Sequence, residues 1–193
     1  MLHKVKIAPA AIDWGKEPRG FFNANELETI VALMYEVRPE YVVETGCNIG
    51  RTAKLVLQHV PGIVRYTGID VFPGYKYQDG SVQKHETPTN AGERAKGDPR
   101  FRLHVSEFGS RDVTADYLGP ADCVFIDGDH SVSGVTYDTQ LAESVIRPGG
   151  MIIWHDYHDL NCAGIGVKEV LDLRAKTGDL YHVEGTWLVF QRF

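Results

Sequence analysis

Asp127, Asp129 and His130 fall within four positions at the end of the apolar run Cys123–Ile126, in "CVFIDGDHSVSG". Two carboxylates and an imidazole can hold a divalent ion or move a proton near neutrality. Solubility alone would not place them there, since any loop could supply it. A second pair, His155 and Asp156, ends the run "GMIIWHD". Earlier, "ETGCNIG" brings Glu44 together with Gly46 and Gly50, and Asp70 ends "YTGIDVF", twenty residues after Gly50.

These residues need elements to position them, and the pattern of the chain supplies them. "YVVETG", "VRYTGIDVF", "FRLHVS", "CVFIDGD" and "GMIIWHD" read as short strands buried on both faces. Helical spacing between them, as in "RTAKLVLQHV" and at Val135, Leu141, Ala142, Val145 and Ile146, predicts crossover helices and a parallel sheet. An opening helix is predicted in "FFNANELETIVALMYEVRPE". Asn23 with Glu26, or Asn25 with Glu28, offers a capping box, and Leu27, Ile30, Val31, Met34 and Tyr35 mark the apolar face. After a last helix, "GVKEVLDLRAKTG", two strands flank Glu184 and Gly185 as an antiparallel hairpin. The sum is an α/β, Rossmann-like, seven-stranded mixed sheet, mostly parallel, with one antiparallel strand in the carboxyl-terminal hairpin and helices on both faces. Residues 1–193 form a single domain. The polar, unpatterned segment Pro73–Arg100 is read as a lid or substrate loop.

Composition bounds the function. The 193 residues are 43% apolar and 24% charged, with a net charge of −6, which suits a soluble domain and argues against a nucleic-acid partner. No apolar run reaches the length of a membrane span, and the start lacks a signal peptide's apolar core. Cys47, Cys123 and Cys162 show neither disulfide nor zinc spacing, so a reducing, cytoplasmic setting is expected. The expected partner is a small-molecule substrate, with no membrane; homo-oligomerisation is left open.

Ligands of open parallel sheets bind at the carboxyl ends of the strands, where every candidate residue lies. The Gly46–Gly50 turn is neither GxGxxG nor a Walker loop. An acidic residue just before it suits an amine-bearing ligand better than a phosphate, and Asp70 suits ribose hydroxyls. Read in order, "VVETGCNIGRTAKLV", "YTGIDVF" and "FIDGDHSVSGVTYDTQLAESVIRPGGMIIWHDY" resemble the motifs of class I S-adenosylmethionine-dependent methyltransferases. They are most similar to the small natural-product and macrolide-sugar O-methyltransferases. The resemblance implies S-adenosylmethionine as cofactor, held by Glu44 near its amine, Gly46, Gly50, Asp70 on the ribose, Ser110 toward the adenine, and Asp127.

Metal-dependent members of that family also imply Asp127 and Asp156 as ligands of Mg²⁺ or Mn²⁺, with His130 as general base. His155 stands where many relatives carry a carboxylate, and an imidazole there suits Mn²⁺ or Zn²⁺ better than Mg²⁺. Plainer roles compete. Asp127 could orient a loop, His130 could be an idle loop histidine, and His155, His158 and Asp159 could form only a polar loop. Cys47 reads as a small filler. Trp14, Phe21, Phe22, Trp154 and Tyr157 could be core or pocket wall. The rival functions are a metal-independent methyltransferase, an inactive cofactor-binding module, a nicotinamide-dependent oxidoreductase and a nucleic-acid methyltransferase. The oxidoreductase lacks its glycine pattern here, and "DGDH" is not the [DNS]-P-P-[FYW] motif of base-amino methylation.

Overall fold

The computed structural model describes residues 1–18, 23, 25–73, 75, 89–158 and 166–193. In chain order the elements are β1 (Leu2–Val5), α1 (Glu26–Val37), β2 (Tyr41–Thr45), α2 (Arg51–His59), β3 (Arg65–Val71), β4 (Phe101–Ser106), α3 (Ala115–Leu118), β5 (Ala121–Ile126), α4 (Val132–Val145), β6 (Ile146–Trp154), α5 (Val167–Arg174), β7 (Leu180–Val183) and β8 (Val189–Arg192). They form one sheet in the order β1-β7-β8-β6-β5-β2-β3-β4. Only β8 runs antiparallel to its neighbours.

Period-two alternation sorts the strand side chains onto two faces. Val42, Phe125, Met151 and Ile153 join α1 and α2 in one core. Val43, Val124, Ile152 and Trp154 join α4 and α5 in the other. β2 is buried at every position, the continuous apolar pattern of a strand covered on both sides. The order reverses between β2 and β5: β3 and β4 extend one way, and β6 and the hairpin the other. That switch point opens a crevice at the carboxyl ends of the strands.

The sheet has one strand more than the sequence pattern suggests. β1 is four residues long, mostly half-buried and without strict alternation, so it carries no periodic signal. Its ladder is completed by β7, running parallel from Leu2 opposite Leu180 to Val5 opposite Val183. Helix α1 begins as its first capping option predicts. Glu26 reaches back to accept from the Asn23 backbone N–H at 2.7 Å. The other option does not form, because Glu28 instead accepts from Trp14 Nε1 at 2.8 Å. Tyr35, expected on the buried face, is 46% exposed.

The Pro73–Arg100 segment divides. Residues 76–88 lie outside the described residues, whereas 89–100 is docked: Gly92 N donates to Asn48 O at 2.7 Å, Arg94 N donates to Ile49 O at 2.9 Å, and Ala95 is buried. Phe21, Phe22, Asp159 and Cys162 are also outside the described residues. Among those described, no helix is long and apolar enough to cross a membrane.

Candidate active site

The crevice is a cleft of about 420 Å³, a suitable size for a nucleoside-sized ligand. Its first wall is the turn from β2 into α2. Gly46 has φ +78°, and a Cβ there would run into the Asp127 carbonyl oxygen, so only glycine lets the ends of β2 and β5 close together. Gly50 has φ +79°, and its missing Cβ faces the Gly92 backbone at 3.0–3.1 Å. Gly46 borders the cleft; Gly50 does not. Gly50 serves the docking of residues 89–100, not the direct approach of a ligand expected from the sequence.

Asp70, at the end of β3, borders the cleft and is 8% exposed. Its carboxylate accepts from Asn48 N at 2.5 Å and Val71 N at 2.7 Å. Burial nevertheless outweighs those bonds and raises its pKa to about 6. Glu44 is fully buried and does not border the cleft. Period two turns it away from the Thr45 face, toward Tyr66 and Cys47. Burial, reinforced by the Asp127 charge, raises its pKa to about 8, so it is mostly a neutral acid at pH 7. Glu44, expected near a ligand's amine, thus lies beneath the floor of the cleft and not in its lining.

The second wall is formed by the ends of β5 and β6. Asp127, His130 and Asp156 bring one ligand atom each within 4.8 Å of one another. His130 Nε2 lies 3.1 Å from Asp156 Oδ2 and 3.6 Å from Asp127 Oδ1. Asp156 holds its place with a left-handed φ of +60°. Asp129 does not join them. It accepts from Ser131 N at 2.9 Å and lies 3.6 Å from Arg111, shaping the start of α4, where Ser131 caps Gly134 N.

His155 is placed differently from the sequence expectation. Its Nδ1 is 3.1 Å from Asp127 and 3.3 Å from Asp156, and its Nε2 is 3.1 Å from Glu26. Expected from the sequence as a metal ligand, His155 here has carboxylates facing both of its ring nitrogens, an arrangement that favours the protonated ring. Burial opposes that charge, but Asp127, Asp156 and Glu26 raise its pKa well above the usual value. Burial likewise opposes ionisation of Asp127, yet His155 and His130 lower its pKa to about 2. Sequence reading missed Glu26 as a site residue. It is fully buried and accepts from Asn23 and from Trp187 N at 2.6 Å while facing His155, so it ties α1, the hairpin and the cleft together. Its place in a capping box was the available signal.

The far end is closed by Phe108, Gly109 and Ser110. Ser110 donates its hydroxyl to Asp138, whose pKa burial raises to about 6. The aromatic wall comes from Tyr75, Phe108, His158 and Trp187, the last two with ring centroids 4.2 Å apart. Trp154 and Tyr157 are core, and Trp14 packs against the α1 side. Cys47 is buried in the turn.

Residues 43–157 match a family model described as a methyltransferase domain. No curated protein matches the sequence. Solved structures with the same fold include the O-methyltransferase TomG from Streptomyces achromogenes, involved in tomaymycin synthesis (16% identity, 87% of this chain and 78% of that one, TM-score 0.56). The methyltransferase PaMTH1 from Podospora anserina is 10% identical over 89% and 79%, with a TM-score of 0.64. The calicheamicin methyltransferase CalS11 is 14% identical over 86% and 77%, with a TM-score of 0.62.

Proposed function

The chain belongs to this methyltransferase family, and we propose that it transfers a methyl group from S-adenosylmethionine to a hydroxyl of a small molecule, a sugar or natural product. The observation that carries the reading is the meeting of Asp127, His130 and Asp156 in a cleft whose opposite wall presents Asp70. TomG and CalS11, which share the fold, support a natural-product acceptor.

The side chains present fit the cofactor and a divalent ion. Asp70 offers carboxylate oxygens to a ribose, and Asp127, ionised and bordering the cleft, offers a counter-charge to an amine. Asp127 and Asp156 offer oxygen donors to a divalent ion, and His130 beside them is left out of the donor set so that its ring nitrogen can take a proton. When bound, a divalent ion lowers the pKa of an acceptor hydroxyl. His130 accepts the acceptor's proton at Nε2, with Asp156 3.1 Å away to steady the imidazolium that forms. When bound, S-adenosylmethionine would supply the methyl group, its sulfur being the leaving group as the acceptor oxygen gains the carbon. Asp127 stays ionised throughout because His155 faces it. Pro73–Arg100 is proposed to meet the acceptor.

A metal-independent reaction is the second reading. It is favoured by His155, whose positive charge already lies against Asp127 and Asp156, the two carboxylates an ion would neutralise. Calorimetry with S-adenosylhomocysteine, with and without Mn²⁺ and chelator, tests the cofactor and the ion together. Micromolar binding is expected; stabilisation by NAD in its place would refute the methyl-transfer reading. On a confirmed acceptor, His130→Ala should slow turnover by about 10²–10⁴-fold while leaving S-adenosylhomocysteine affinity nearly unchanged. Full turnover by that variant would remove the base.

A further inference from the structure

Two arginines border the cleft, and they are in different situations. Arg111 lies 3.6 Å from Asp129 and donates to Ser133 Oγ at 3.2 Å. Arg51, the first residue of α2, has no hydrogen bond or ion pair among the described residues, and its Nε is buried. The nearby carboxylate is already taken. Glu17 is paired with Lys54 Nζ at 2.7 Å and with Arg94. Two cations thus already occupy that carboxylate, and Arg51, the third cation nearby, borders the cleft. Its position is fixed from both sides, by the glycine turn before it and by the docked 89–100 segment that carries Arg94.

A half-buried guanidinium with no hydrogen bond or ion pair is costly, since burial removes water and Arg94 adds repulsion that the more distant charge of Glu17 only partly offsets. Both effects weaken its hold on its proton. A bound anion would relieve both at once. On these grounds we propose that Arg51 is the anion-recognising residue of the cleft, receiving a carboxylate of a bound ligand in a charge-assisted hydrogen bond. The proposal rests on the cofactor reading for one source of that carboxylate, the amino-acid end of S-adenosylmethionine. The other source is an acidic group on the acceptor. Asp127 and Arg51 give one cleft an anion and a cation, a pairing that suits a zwitterionic end.

The test compares wild type, R51Q and R51K in titrations with S-adenosylhomocysteine, with its decarboxylated analogue and with ¹³C-acetate. If the cofactor supplies the carboxylate, R51Q binds S-adenosylhomocysteine about 10- to 100-fold more weakly but keeps its affinity for the decarboxylated analogue. R51K falls between, since it keeps the charge and loses the planar fork. If the acceptor supplies it, S-adenosylhomocysteine affinity is equal in wild type and R51Q. Acetate then contacts the cofactor-loaded wild type and not loaded R51Q. Equal responses of wild type and R51Q to all three probes overturn the proposal. Failure of wild type to bind S-adenosylhomocysteine would strike the cofactor reading alone, because the acetate comparison on the free protein still decides Arg51.

Discussion

At the ends of β2 and β3 the molecule buries Glu44 beside Tyr66 and Cys47 and Asp70 on two backbone amides, both within reach of the Asp127 charge. At the ends of β5 and β6 it buries Asp127 against the imidazolium of His155. The same functional group is driven in opposite directions, up to about 8 and about 6 on one side and down to about 2 on the other. Burial is the largest influence in all three; what differs is whether a cation has been built in beside the carboxylate. One wall therefore offers a ligand the Asp70 carboxylate, which burial brings closer to neutrality, with Glu44 buried beneath it. The other holds a fixed charge pair at the point where protons move.

Removing the cation should collapse this difference and give the largest stability effect. His155→Ala leaves Glu26 buried with no counter-charge and Asp127 with only His130, and breaking such a buried pair costs about 3–5 kcal/mol. The loss is expected in urea unfolding at pH 7. It should start to shrink above the ordinary carboxylate range, where the uncompensated buried carboxylates of the variant take up protons, and shrink further from about 4 toward 2 as the wild type loses the contribution of Asp127. Asp127, with its folded pKa depressed, contributes stability above about 4 that is lost toward 2; His155, raised, contributes below about 6.5 and loses it only as pH climbs through its folded pKa. A loss under about 1 kcal/mol at pH 7 would mean that the network adds little and that the two walls differ only in name.

The opposite wall should show the opposite pH slope. Glu44 keeps in the folded state a proton that the unfolded chain releases near 4.5, so its effect on stability falls as pH rises from about 4.5 to about 8. Glu44→Gln fixes the neutral form. Its unfolding free energy should decline less steeply over that window, by up to one proton's worth, about 1.4 kcal/mol per pH unit. Parallel pH profiles for wild type and the variant would show that Glu44 is ionised in the folded protein after all.

Most of the sheet was legible because its central strands are buried on both faces and therefore apolar without interruption, as in Val42–Val43 and Val124–Ile126. β1 was not, since four residues at an edge carry no period and gain their meaning from β7, far along the chain. The convergence of Asp70, Asp127, His130 and Asp156 on one cleft was legible because strand ends are where such sheets keep ligands. The direction of His155 and the depth of Glu44 were not. Both depend on partners across the fold, Glu26 for one and Tyr66 for the other, and no local spacing reveals them. Gly50 was legible as a left-handed turn residue but not as a docking surface, because its partner, Gly92, lies in the segment without pattern.

That last contact gives the finest comparison, between two glycines in the same backbone region. Gly50 and Gly62 have φ +79° and +89°, yet a Cβ at Gly50 meets the Gly92 backbone at 3.0–3.1 Å while one at Gly62 meets nothing within 4 Å. Alanine at either position bears the left-handed conformation, about 1–2 kcal/mol. Only Gly50→Ala must also push back Gly92, and with it the two backbone bonds that dock residues 89–100 on the turn. Backbone yields less readily than the end of a side chain, so Gly50→Ala should cost about 1 kcal/mol more than Gly62→Ala in chemical denaturation. It should also raise hydrogen exchange at the Gly92 and Arg94 amides, which the Gly62 variant should leave unchanged. Equal costs and equal exchange would mean that the segment yields freely to a methyl group and is not held by the turn. The glycine wall would then be a loop that happens to lie near the cleft, and its contrast with the rigid charge pair opposite would rest on electrostatics alone.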